Sequence, residues 1–417
     1  MVDVPDRLAE LVRVEGGRVL ATLVRSVDDW SVAEEAVQEA AIAALRDWAV
    51  NGVPNEPRAW LITTARRKAI DILRREQQRR GKEAAGAQLI ELRRPDAPEV
   101  TELTVLDDDL LRLIFTCCHP SLAPESRLAL ALRTLGQLSV PQVAAAMLST
   151  EAAVARRLTR TKDKIARAKI PYVTPQPADL PERLAVVCGV IHALYTIGHS
   201  PLDGEAAVDV DLCTEAVRLA RLLVELMPDE AMPAAVLALF LLTEARRPAR
   251  VDAAGDVVVL PDQDRGRWHV AMIDEGADRL ARSLRRTDGI ADPYQLQAAI
   301  AFEHDRAPSY PQTDWVEVVR LYDLLLLVAP SPAAALARAV AVAERDGAPA
   351  GLKALAALEP NSRVRWVTAE LLARDGRLTE AIAVAAPRPD DALTAPEQRQ
   401  REARRAAWAA ADGSTSV

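Results

Sequence analysis

The sequence predicts an all-α protein, and three observations carry that prediction. Apolar residues make up 50% of the 417-residue chain, which excludes global disorder. Aromatics are only 4% and glycines number 17, against a usual glycine share of about 7%, which argues against a sandwich or barrel. The apolar positions are rich in Ala and Leu and recur at helical spacing. At roughly 150 residues per domain, the length corresponds to two or three domains.

Each element follows from local signals. Leu8, Leu11, Val19, Leu23 and Val24 predict one or two N-terminal helices, with Gly16-Gly17 as a weak point. Ser31 with Glu34 three residues on reads as a capping box. It opens a helix carrying Ala33, Val37, Ala41, Ala44 and Trp48, which Asn51-Gly52-Val53-Pro54 stops. A third helix after Pro57 sets Trp60, Leu61, Ala65, Ile70 and Leu73 on one face and Arg66, Arg67, Lys68, Arg74 and Arg75 on the other. Residues 81–106 lack a sustained period and read as a linker.

Residues 107–172 predict a second helical unit. Leu110, Leu113, Ile114 and Cys117 form a stripe that ends at Pro120, and Glu125–Leu135 is a helix stopped by Gly136. Ser139 caps a short helix through Met147, and Thr150 caps a longer one to about Ala168. Helix, short helix, turn and longer basic helix make a helix-turn-helix arrangement. Val154, Leu158 and Ile165 point into a core, and Arg156, Arg157, Arg160, Lys164 and Arg167 occupy the other faces.

Pro171, Pro175, Pro177 and Pro181 mark a boundary, after which residues 180–417 read as Ala/Leu-rich helices. Arg-Asp-Gly occurs at 345–347 and again at 374–376, each time between two apolar helices. That pattern resembles tetratricopeptide repeats, whose period is about 34 residues. Residues 250–268 predict a small hairpin, to be read either as an interaction loop or as a packed connection.

The net charge is −8, but it is unevenly placed. Residues 58–82 hold nine basic and two acidic side chains, and residues 151–178 hold seven and two. Residues 179–417 hold 26 basic and 36 acidic ones. A basic front is joined to an acidic back. The second helix of a helix-turn-helix lies in the DNA major groove, with flanking cations on phosphates. Arg/Lys with an aromatic suits unpaired strands; Trp60 reads equally as a stacking platform or as core. A duplex reader beside a single-strand reader points to a protein that engages melting DNA.

Other classes lack support. No Walker loop, GxGxxG, HExxH or GxSxG occurs, so no enzymatic centre or cofactor is expected. Cys117-Cys118-His119 has the wrong spacing for a metal ion, and the four cysteines are read as reduced, buried thiols, with no metal site expected. The longest uncharged run, 184–202, reads as a buried helix plus turn, and the absence of an apolar leader points to a cytoplasmic chain.

The residues resemble those of a known family. Glu34-Glu35-Ala36-Val37-Gln38-Glu39, Pro57-Arg58-Ala59-Trp60-Leu61 and Ala65–Arg75 are similar to domain 2 of extracytoplasmic-function sigma factors of the σ70 type, and 125–168 to domain 4. Leu113–Pro120, Leu132-Arg133-Thr134-Leu135, Asp262-Gln263-Asp264-Arg265, Tyr294–Ile300 and Ala329-Pro330-Ser331-Pro332 resemble the subgroup with a tetratricopeptide-like C-terminal extension.

The resemblance implies a promoter-specificity factor for core RNA polymerase that performs no catalysis itself. Residues 1–80 would bind polymerase and the −10 element, and the 81–106 linker would thread toward the active-site cleft. Residues 107–172 would bind the −35 element, and 180–417 would regulate in cis. Glu34, Glu35, Gln38 and Glu39 would meet the β′ clamp helices. Trp60, Arg66, Arg67, Lys68, Arg74 and Arg75 would meet the −10 strand. Thr150, Arg156, Arg157, Arg160 and Lys164 would meet the −35 duplex, beside the β flap. No membrane partner is implied, and the extension would stand in for a separate anti-sigma protein. A scaffold with a vestigial DNA-binding front is the competing reading.

Overall fold

The computed structural model describes residues 4–27, 29–80, 102–147, 149–201, 206–388, 391 and 393–415, in two compact units, 1–194 and 195–417. The described residues are helical and form no strand, as expected from the composition. Most of the expected linker, 81–101, lies outside them.

The first unit comprises α1 (Val4–Val27), α2 (Trp30–Asn51), α3 (Pro57–Arg80), α4 (Glu102–Cys117), α5 (Pro124–Thr134), α6 (Val140–Ala146), α7 (Glu151–Arg167) and most of α8 (Leu180–His199). Helix α1 runs unbroken through Gly16-Gly17, which lie against Gln137 and Leu110. The expected Ser31 cap is corrected. Asp29 caps α2, its carboxylate accepting from the Ser31 and Val32 amides at 2.9 and 3.1 Å. Trp30 is buried, so the helix begins two residues earlier than its periodicity indicates. Helix α4 likewise starts at Glu102, inside the expected linker. The other caps stand where expected. Ser139 forms a capping box with Gln142, and the Thr150 hydroxyl accepts from the Ala153 amide at 3.2 Å.

Two polar anchors set the packing of this unit. Asp109 is fully buried between Arg25 (3.2 Å) and Arg112 (3.4 Å). The Tyr172 hydroxyl lies 2.9 Å from the Ala21 carbonyl and 3.0 Å from that of Asp109. Together they hold α1 against α4, so the segments that sequence separates at the linker share one core. Cys117 and Cys118 are buried free thiols. Burial, reinforced by the neighbouring Cys118, raises Cys117 well above its ordinary pKa, and burial pushes Cys118 up to about 12. Helix α8 is the one described helix long and apolar enough to cross a membrane, and a third of its most apolar window is buried.

In the second unit, α9 (Val210–Leu226) leads to α10 (Ala231–Glu244), the short α11 (Arg247–Arg250) and α12 (Val270–Arg285). Helix α10 is buried continuously from Pro233 to Leu242, the pattern of a core helix. Then follow α13 (Pro293–Arg306), α14 (Trp315–Val328), α15 (Pro332–Asp346), α16 (Ala348–Leu355), α17 (Ser362–Arg374), α18 (Leu378–Val384) and α19 (Ala395–Thr415). Three successive clusters each draw on consecutive helices. Leu296, Val318 and Val342 join α13 to α15. Ala343, Leu355 and Leu371 join α15 to α17. Leu372, Ala381 and Trp408 join α17 to α19. Both Arg-Asp-Gly tripeptides end a helix, with Gly347 and Gly376 at φ of 94° and 79°, a region that disfavours side chains with a Cβ.

The expected hairpin is reduced to one bridge, Val251 to Val257. The following 262–268 segment is a packed connection. Arg265 donates to the carbonyls of His304 (2.6 Å) and Ala307 (2.8 Å) at the end of α13 and stacks over the buried Trp268.

Beside it, burial pushes Asp305 up to about 7 despite Arg246 and Arg265, and pushes His304 down to about 3, helped by the same arginines. The two titrations oppose each other. The Asp305 contribution is fully present below pH ~4 and is lost as pH rises through 7. The His304 contribution is lost as pH falls from about 6.5 toward 3. Asp305→Asn removes the first. Its stability relative to wild type should therefore climb between pH 4 and 8 by up to roughly 4 kcal/mol. Urea titrations across that range, following the second unit, check the slope; a pH-independent difference would refute it.

Candidate nucleic-acid and polymerase interface

Helix α7 is amphipathic in the manner its sequence indicates. Val154, Leu158, Thr161 and Ile165 are buried, packing the helix on α5 and α6. Arg156 and Arg160 are exposed and Arg157 half-buried. None of the three forms an ion pair among the described residues; Arg160 only donates to the Arg156 carbonyl at 3.2 Å. Lys164 donates to the Ser121 carbonyl, and Arg167 lies 3.9 Å from Asp163. Three unpaired guanidinium groups in the first three turns of a capped, rigid helix can bind base edges or phosphates without first breaking internal salt bridges.

Helix α3 divides its cations. Arg66 is half-buried, Arg67 is exposed, and neither is paired among the described residues. Arg74 lies 3.8 Å from Asp71. Lys68 and Arg75 both reach Glu39 on α2, at 3.2 and 3.3 Å. Burial acts to raise the Glu39 carboxyl, but hydrogen bonds and charge from Lys68 and Arg75 outweigh it and hold the group below its ordinary value. Trp60 packs edge-on against the buried Trp48, ring centroids 5.4 Å apart and planes at 65°. It remains half-buried, so one part of the ring packs while another faces out.

The acidic face of α2 divides too. Glu35 and Gln38 are exposed and unpartnered among the described residues. Glu34 accepts from the Trp30 indole at 2.9 Å and pairs with Lys162 of α7. Sequence reasoning missed Lys162 because its partner lies 128 positions away; no local pattern encodes that pair. Arg25, Asp109 and Tyr172 were missed for the same reason.

Comparison with known proteins fits this geometry. Residues 11–80 match the family model for sigma-70 region 2, which spans α2, α3 and most of α1. Residues 183–284 match a family of unknown function (DUF6596). An uncharacterized protein of Rhizobium meliloti (strain 1021) is 43% identical over 346 residues, covering 82% of this chain and 80% of the relative. The chain therefore belongs to the family of that protein, and its N-terminal helices carry a sigma-70 region 2, which supports a sigma-70 family factor with a role in transcription initiation.

Proposed function

We propose that the protein is an extracytoplasmic-function sigma factor that binds core RNA polymerase and directs promoter-specific initiation, with residues 180–417 modulating its activity in cis. The observation that carries this reading is the sigma-70 region 2 match at 11–80 on helices whose Arg66 and Arg67 are unpaired among the described residues. In this reading Glu35 and Gln38, with Glu34 and Glu39, dock the β′ clamp helices, a basic-to-acidic match that favours association rate and specificity. Arg66, Arg67, Lys68, Arg74, Arg75 and the outer part of Trp60 hold the non-template −10 strand. Helix α7 enters the −35 major groove through Arg156, Arg157 and Arg160, and its domain contacts the β flap. The acidic extension takes the place of a separate anti-sigma protein.

The Lys162–Glu34 pair ties the −35 helix to the polymerase face. Docking on polymerase then exchanges one ion pair for another. Lys162→Ala is expected to raise polymerase affinity about threefold to tenfold, because a half-buried pair contributes on the order of 1 kcal/mol. Pull-down with core polymerase and competition binding measure this, and reduced affinity would count against the exchange.

Runoff transcription with cognate core polymerase tests the whole reading, using full-length protein and a 1–178 truncation. Promoter-dependent transcripts from the full chain support it. Gain on truncation marks the extension as inhibitory, and loss marks it as required. No polymerase association, with peptide binding by residues 180–417, would favour a scaffold instead.

A further inference from the structure

The C-terminal unit holds a cluster that promoter recognition does not use. His199 closes α8, Cys213 lies in the first turn of α9, and Glu244 closes α10. One donor atom from each lies within 4.8 Å of the others, with Cys213 and Glu244 buried. Position 198 is what brings the two backbones so close. A Cβ there would meet Leu212 Cβ at 2.8 Å and the Cys213 amide nitrogen at 2.9 Å, so only glycine fits. Tyr195 orients two members of the cluster. Its ring stacks on His199 (5.4 Å, 18°) and on Phe240 (4.2 Å, 16°), and its hydroxyl donates to Glu244 Oε1 at 3.0 Å.

We propose that His199, Cys213 and Glu244 form a binding site for a divalent transition-metal ion of the zinc class. One imidazole, one thiolate and one carboxylate match the preferences of such an ion and leave a fourth position open. Metal–ligand bonds of roughly 2.0–2.3 Å in a tetrahedron set donors about 3.3–3.8 Å apart. The cluster thus needs to contract by at most about 1.5 Å, within reach of side-chain torsions. The thiolate and carboxylate balance the dication.

The neutral imidazole suits a metal, whereas the thiol must lose its proton on binding one. Burial, with Arg250 and Arg246 adding to it, pushes His199 down to about 2, so its ring is neutral at working pH. Burial pushes the Cys213 thiol up to about 12, Glu244 adding to the effect. The thiol therefore gives up its proton to the solvent only when a metal takes its place.

A cationic side chain stands against the His199 member of the cluster. The Arg250 guanidinium donates to His199, Nη1 lying 2.8 Å from Nδ1, with Ser200 Oγ at 3.5 Å on its other side. Glu244 has a second cation in Arg247, at 3.2 Å. Metal binding displaces the Arg250 group from the ring. Arg250 is thus a competitor, and the sign of its effect is fixed: removing its charge tightens metal binding.

Cobalt(II) titration of the full-length protein, followed by displacement with zinc, tests the proposal. One cobalt per chain is expected, with the absorption band of a cobalt–thiolate bond. Cys213→Ser should abolish the band, and a Cys117→Ser, Cys118→Ser, Cys188→Ser triple variant should keep it. Glu244→Gln should weaken binding about 10- to 100-fold, and Arg250→Gln should tighten it about tenfold. Circular dichroism checks that each variant folds. If Cys213→Ser does not fold, the opposite signs of the Glu244 and Arg250 variants decide. No stoichiometric cobalt at micromolar concentration would overturn the proposal. So would a band that survives in Cys213→Ser, or an Arg250→Gln variant no tighter than wild type.

Discussion

Replacing Arg156, Arg157 and Arg160 together with alanine is expected to lower affinity for a −35 promoter duplex by at least about a hundredfold, since each direct contact contributes about 1 kcal/mol or more. The helix itself should survive. Its buried face is Val154, Leu158, Thr161 and Ile165, none of which is altered, and no ion pair among the described residues is lost. Fluorescence anisotropy at several salt concentrations separates the roles. A residue on phosphate lowers the slope of log K against log salt by about one and weakens all sequences alike. A residue on a base edge leaves the slope and relaxes specificity at one position. An unchanged affinity in the triple variant would remove α7 from the DNA interface. Lys164 is expected to matter less, because its ammonium already donates to the Ser121 carbonyl.

Trp48→Ala should destabilise the first unit by about 3–5 kcal/mol, the usual cost of truncating a large buried aromatic. Trp48 is 1% exposed and is the surface on which Trp60 packs. Its loss opens a cavity between α2 and α3 and frees Trp60. Trp48→Phe should cost much less, because the Trp48 indole N–H is buried with no hydrogen-bond partner among the described residues. Phenylalanine loses some packing but also removes that unmet donor, worth about 1–3 kcal/mol. Native-state hydrogen exchange over α2 and α3 reports the two variants without assuming that the two units unfold together. Equal losses in both would show that the N–H is satisfied in solution.

The helix-forming signals were largely legible. Ser139 and Thr150 cap where short polar side chains precede apolar runs, and Val154, Leu158 and Ile165 are buried as their spacing requires. The two Arg-Asp-Gly breaks fall between helices as read. Ser31 was misassigned because Asp29 is an equally good cap two positions away. Only the burial of Trp30 decides between them. The hairpin at 250–268 was overestimated because a run of valines has strand propensity but finds no partner strand beyond one bridge.

The candidate site was legible as residue types and faces. Which of its charges are free was not. Arg66 and Lys68 look alike in sequence, yet Lys68 is engaged by Glu39 while Arg66 is unpaired among the described residues. Glu34 and Glu35 are adjacent, yet only Glu34 meets Lys162.

The sequence by itself determined the helical class, the helix periods and caps, and the separation of a basic front from an acidic extension. These depend on neighbours within about one turn of helix, and that information is local. Tertiary structure alone decided that α1 and α4 share a core through Asp109 and Tyr172. It also decided which cations remain available, and that His199, Cys213 and Glu244 converge although 14 and 31 residues separate them. Such groups meet only after helices pack, because a side chain's partners across a helix interface are set by crossing geometry and not by sequence distance.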